Sequence, residues 1–168
     1  MEIVEFVSSL ELKCCIITNG LQAEADVIPT LINHVDDWLI SAHGNEADHN
    51  KIVGFDCARV QQETFINLLE KHKRTYRVNC CILSHNQFNL VEFAEWAATK
   101  EGLRIVNFIN FNPHGVWNNH PEARAQMCDM DIVEEQLNRS IAILEQAGKG
   151  INVRYFPMCR IAEENRKY

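Results

Sequence analysis

No stretch of this sequence approaches the roughly 20 consecutive apolar residues that a membrane helix needs, so no membrane partner is expected. Glycine (7) and proline (4) are scarce in a chain of 168 residues, which excludes collagen-like and low-complexity classes. Basic residues are also short, 16 against 23 acidic, for a net charge of −7. No broad basic surface follows, and no nucleic-acid partner is expected. Cysteines number seven but never fall at C-x-x-C or C-x-x-x-C-x-x-C spacing, so zinc-ribbon and local iron–sulfur signatures are missing. No basic segment followed by an apolar core opens the chain. An odd cysteine count, with adjacent pairs at Cys14–Cys15 and Cys80–Cys81, argues for reduced thiols and a cytoplasmic location.

What is present is a single-domain length and an alternation of two patterns. Short apolar, β-rich runs occur at 12–18, 38–43, 77–84, 104–111 and 151–157. They read as strands buried on both faces. Segments with apolar spacing near 3.6 occur at 21–34, 62–72, 90–100 and 121–147, and read as helices. Asn19–Gly20 supplies a turn, Asn89 with Glu92 a helix start, and Gly102 and Gly148 helix stops. Strand–helix repetition at this period means βαβ units and a parallel sheet. The expected fold class is α/β, one domain over 1–168: a helix at 1–10, core βα units over 12–113, and a long helix with a final strand over 121–168. Five strands are too few for an eight-stranded barrel. A helix at 1–10 with no strand before it favours part of a barrel over an open sheet.

Ligands of parallel sheets sit at the carboxyl ends of the strands. The candidates there are Thr18 and Asn19, then Ser41, His43 and Gly44, then Ser84, His85 and Asn86. Asn112 to Gly115 follow the fourth strand, and Cys159 and Arg160 the fifth. Asn79, Asn107 and Asn110 fall within apolar strands and need partners if buried. The segment His43–His49 carries two imidazoles and two carboxylates but lacks the i, i+4 spacing of a helical metal motif. A polar loop entering a helix is the simpler reading. Cys14–Cys15 and Cys80–Cys81 read as small hydrophobes pointing to opposite faces. Cys159, beside basic Arg160, is the thiol most open to reaction or ligation.

Taken in order, Ile16-Ile17-Thr18-Asn19-Gly20, Leu39-Ile40-Ser41-Ala42-His43-Gly44 with His49 and Gly54, Arg77-Val78-Asn79 with Asn86, and Asn107 through Pro113 resemble the second half of the radical S-adenosylmethionine enzymes. The likeness is greatest to the molybdenum-cofactor cyclase and peptide-maturation branches, and it covers about 12–113. It implies a TIM-barrel-like partial (βα) barrel of mostly parallel strands, about five of them present and the first two βα units missing. It also implies S-adenosylmethionine and a [4Fe–4S] cluster as cofactors. In this family, one-electron reduction of the sulfonium yields a 5′-deoxyadenosyl radical that abstracts a substrate hydrogen, an oxidoreductase-type chemistry. By the same resemblance Ser41 contacts S-adenosylmethionine, Asn112 lies beside its adenosyl group, and Ile109 and Phe111 help form the adenine wall. Thr18 and Arg77 reach substrate, with arginine where the cyclase branch has lysine. The cluster loop and the glycine-rich segment of the family have no counterpart here. The expectation is therefore a carboxyl-terminal fragment, inactive alone, whose partner is an amino-terminal half carrying the cluster and whose substrate is an unidentified small molecule or peptide. Two other readings stand beside it. One is a non-enzymatic ligand-binding or partner-docking domain. The other is a small α/β enzyme using Cys159 or the His43/His49 loop with a metal.

Overall fold

A computed structural model describes residues 2–168. It contains one sheet of five strands in the order β1 to β5: Cys15–Thr18, Asp37–Ser41, Tyr76–Ile82, Leu103–Asn110 and Gly150–Arg154. Every neighbouring pair is parallel. Helices alternate with the strands: α1 (Glu2–Ser9), α2 (Ile28–His34), α3 (Glu46–Val53), α4 (Ala58–Lys71), α5 (Leu90–Ala98), α6 (Pro121–Ala125) and α7 (Met130–Gln146). The sequence period of 2 within strands separates two faces. β3 alternates buried and half-buried along its whole length, and β2 does the same.

The buried side packs against helices. Trp38, Ile40, Val78, Cys80, Val106 and Phe108 meet Phe65, Ile66 and Leu69 of α4, Phe93 and Ala97 of α5, and Leu137, Ile141 and Leu144 of α7. Aromatic edges lock this layer. Phe93 and Phe108 cross at 76° with centroids 6.1 Å apart, and Trp38 and Phe65 at 71° and 5.3 Å. The other side stays half-buried at Leu39, Ser41, Arg77, Asn79, Cys81, Ile105 and Ile109, and Ile17 is 67 % exposed. An all-parallel sheet normally has both faces covered, so this open face is the unusual feature of the fold.

Several helix features differ from the sequence pattern, among them α4, which starts at Ala58 and not at Gln62. Residues 21–27 form turns, and α2 starts only at Ile28. A helix begun at Leu21 would put Pro29 in its interior, against the carbonyl of Ala25. The single long helix expected over 121–147 is two, because Asp129 caps α7 by accepting from Asp131 N–H at 2.9 Å while its own N–H goes to Gln87 Oε1 at 2.6 Å. Asn89 makes no side-chain cap on α5 and donates to Asp48 Oδ2 instead, at 2.9 Å. β1 ends the sheet with one edge unpaired, and no helix of the described residues is long and apolar enough to cross a membrane.

Candidate functional site

Register aligns Ser41, Asn79, Asn107 and Asn152 in one row across the open face. The three amides form a chain. Asn152 Nδ2 donates to Asn107 Oδ1 at 2.8 Å, and Asn107 Nδ2 donates to Asn79 Oδ1 at 2.9 Å and to Val78 O at 3.2 Å. Asn107 is only 3 % exposed, so these bonds answer the desolvation cost of its amide. With Oδ1 of Asn79 occupied, its Nδ2 is left as a donor with no partner among the described residues, next to Ser41 on the neighbouring strand. Asn110, on the buried side, is satisfied separately by Tyr155 O and the Cys128 thiol.

His43 closes the carboxyl end of the same surface. Its Nδ1 accepts from Cys81 N–H at 3.1 Å, taking the place of the next rung of the sheet, while its own N–H donates to His49 Nδ1 at 3.1 Å. Both rings are therefore neutral with the proton on Nε2. Burial, reinforced by the nearby Arg59 cation, pushes the pKa of His43 down to about 4 and that of His49 to about 3, where His43 adds a further, smaller push. These bonds oppose the metal reading of this loop, since Nδ1 of each ring accepts from a backbone amide and Nε2, carrying the proton, has no lone pair to offer a metal. No three His, Cys, Asp or Glu among the described residues gather as metal ligands.

The loop is pinned from α4. Arg59 donates to Gly44 O and, at 3.0 Å, to Gln62 Oε1, and its guanidinium lies 4.5 Å from the centre of the Trp96 ring. Gln62 Nε2 donates to Asn19 O and Ser41 O, both at 2.8 Å, tying the ends of β1 and β2 together. Gly44 is obligatory. Its φ is +65°, and a Cβ there would come 2.8 Å from Asp48. Arg59 and Gln62 were missed in the sequence, although two polar residues three apart on the buried stripe of a helix were the available signal. Two buried donors remain without acceptors among the described residues, Trp38 Nε1 and His49 Nε2, each costing about 1–3 kcal/mol if nothing fills the gap.

The structure brings some of the sequence candidates together and separates others. Ser41, Ile109 and Phe111 share the open face by strand parity, with Ile109 paired to Cys81. Arg77 starts there but turns toward the amino end. Its Nε donates to Asp37 Oδ1 at 3.2 Å, its terminal nitrogen reaches Asp37 Oδ2, and the Cys15 thiol also meets Asp37. Asn112 is exposed beyond β4. Thr18 shares the parity of Ile16, which pairs with Trp38, so its side chain belongs to the helix-covered side. The Arg160 guanidinium pairs with Asp131 and Glu134 and not with Cys159, which removes the reason for singling out that thiol.

The cysteines do not fit a [4Fe–4S] cluster. All seven are free and spread along the chain from β1 to the carboxyl-terminal turns. Burial pushes the Cys80 thiol up to about 12 and raises Cys81 and Cys128, away from the thiolate form that ligates iron. S-adenosylmethionine fares differently. The open face offers hydroxyl, amide and imidazole donors beside apolar Ile109 and Phe111, a donor set suited to an acceptor-rich ligand with an aromatic base.

No protein-family model matches the chain, and no curated protein does. Among solved structures the chain is similar to a domain of pyruvate-formate lyase-activating enzyme from Bacteroides vulgatus ATCC 8482. The TM-score is 0.67 at 13 % identity, over 90 % of this chain and 87 % of that one. At this identity the likeness is one of fold: an α/β partial barrel of parallel strands, matched nearly end to end.

Proposed function

We propose that the chain is part of a radical S-adenosylmethionine enzyme, its open face forming the carboxyl-terminal portion of the barrel interior. The cluster would be held by other residues, joined to this chain or supplied by a partner polypeptide, and this chain alone would be inactive. The observation that carries the reading is the half-covered face itself. It brings Ser41, Ile109 and Phe111 together on a parallel sheet whose fold matches an activating-enzyme domain. When bound, S-adenosylmethionine would supply a carbon radical for hydrogen abstraction. This chain's residues would bind and orient it. The Ser41 hydroxyl, Asn79 amide and His43 Nε2–H donate to its acceptors, and Ile109 and Phe111 exclude water from its base. The substrate would be a small molecule or peptide, and the free thiols suit the cytoplasm. A second reading, a binding domain without catalysis, is favoured by the scattered cysteines.

The test is a ¹⁵N-resolved NMR titration of the chain with S-adenosylmethionine, which registers binding even when half of a site is missing. Amide shifts confined to 41–43, 79–81 and 107–112, lost in Ser41→Ala, are expected. Absence of shifts at millimolar ligand, or shifts only on the helix-covered side, would remove the reading.

A further inference from the structure

Gln62 lies on α4, on the covered side of the sheet, and is 0 % exposed. Resting on the ligand-binding role proposed for the open face, we propose that Gln62 is its positioning residue: the buried amide fixes the backbone that presents Ser41, and so sets ligand affinity without touching a ligand. The β1–β2 ladder ends at Thr18 and Ile40. One residue further on, the carbonyls of Asn19 and Ser41 both accept from Gln62 Nε2, each at 2.8 Å. The side chain stands in for the next rung. Its amide cannot be reversed, because Arg59 can only donate. The Arg59 bond to Gln62 Oε1 at 3.0 Å therefore turns the Nε2 protons toward the strands.

The consequence falls on a single peptide unit. The Ser41 carbonyl accepts from Gln62, and the Ala42 N–H donates to Asn79 O at 2.9 Å. Held at both ends, the Ser41–Ala42 plane cannot turn without breaking a bond. The direction of the Ser41 side chain is thus set before a ligand arrives, and less freedom is lost when one binds. Arg59 carries the hold into the following loop through Gly44 O. Two side chains one turn apart on α4 therefore secure three carbonyls at the carboxyl ends of β1 and β2. No other side chain among the described residues donates to Asn19 O or Ser41 O.

Gln62→Glu tests the role. It removes both donors and keeps the length, the volume and an acceptor for Arg59. If that variant does not fold, Gln62→Met deletes the donors without burying a charge. The control is Ile66→Val or Ile66→Ala, one turn further along α4, whichever matches the Gln62 variant in urea midpoint. Two readouts are taken: amide hydrogen exchange of the ligand-free chain, and NMR titration with S-adenosylmethionine. In the Gln62 variant the Ala42 amide is expected to exchange about 10-fold faster relative to Val106, and S-adenosylmethionine to bind about 10-fold more weakly, the worth of a lost hydrogen bond. The matched Ile66 variant should keep the wild-type value of both. Unchanged Ala42 exchange in the Gln62 variant, or an equal loss of affinity in the Ile66 variant, would overturn the positioning role. If the wild-type chain binds no S-adenosylmethionine, the proposed function falls, and the exchange measurement alone decides whether Gln62 fixes the Ser41 backbone.

Discussion

The two faces of one sheet have opposite characters. The helix-covered face is built from apolar side chains of near-zero exposure, interrupted by few polar groups. The open face alternates with it residue by residue and carries an amide chain, an ion pair, the neutral His43 imidazole at its carboxyl end and half-exposed isoleucines. The same β-strands serve both, because the period of 2 sends neighbouring residues to opposite sides. Stability is concentrated on the first face and, under the proposed function, recognition on the second, so substitutions one residue apart should differ sharply in what they disturb.

The largest expected effect comes from the covered face. Phe108→Ala should cost about 3–5 kcal/mol in denaturant unfolding, whereas Ile109→Ala beside it should cost under about 1.5 kcal/mol and act on ligand binding. Equal costs would erase the distinction between faces. Next comes acid. Unfolded imidazoles protonate below about 6.5, but His43 and His49 stay neutral in the fold to about 4 and about 3. The unfolded state thus binds more protons in that interval. Stability is complete above about 6.5 and falls as pH drops toward 4, at up to roughly 1.4 kcal/mol per pH unit for each ring. Urea midpoints between pH 7 and 5 should show this slope, and His43→Gln, whose side-chain carbonyl can still accept from Cys81 N–H, should flatten it. An unchanged slope would show that His43 is not held neutral.

The architecture was readable in the sequence because apolar period and turn residues are local signals, and all five strands lie where short β-rich runs predict them. What was not readable depends on which face a side chain takes and what it meets across the sheet. Thr18 ends its strand in the right place but on the covered side, set by its register with Ile40. Arg77 lies on the open face, yet Asp37, forty residues away in sequence, draws it toward the amino end. Asn107 and Asn152 pair across strands at 2.8 Å, a contact that no spacing encodes. The His43–His49 segment is a polar loop entering a helix, as its spacing suggests, but that backbone amides claim Nδ1 of each ring is not encoded in that spacing.

Smaller effects sharpen the same contrast. Asn107→Ala leaves Asn79 and Asn152 with broken bonds and should cost about 1–3 kcal/mol, read by thermal or urea unfolding. Arg77→Met, at a pair that is roughly one-third exposed, should cost under about 1 kcal/mol and vanish in high salt. Ser41→Ala should leave stability within about 0.5 kcal/mol while removing the S-adenosylmethionine-dependent NMR shifts.

The central claim is that this chain offers a face for S-adenosylmethionine chemistry while the iron–sulfur cluster belongs to residues elsewhere. Anaerobic reconstitution of the purified chain with iron and sulfide, followed by visible absorbance and by electron paramagnetic resonance after reduction, tests it most directly. The account predicts no stable cubane cluster on this chain; a stoichiometric [4Fe–4S] signal that survives desalting would contradict it.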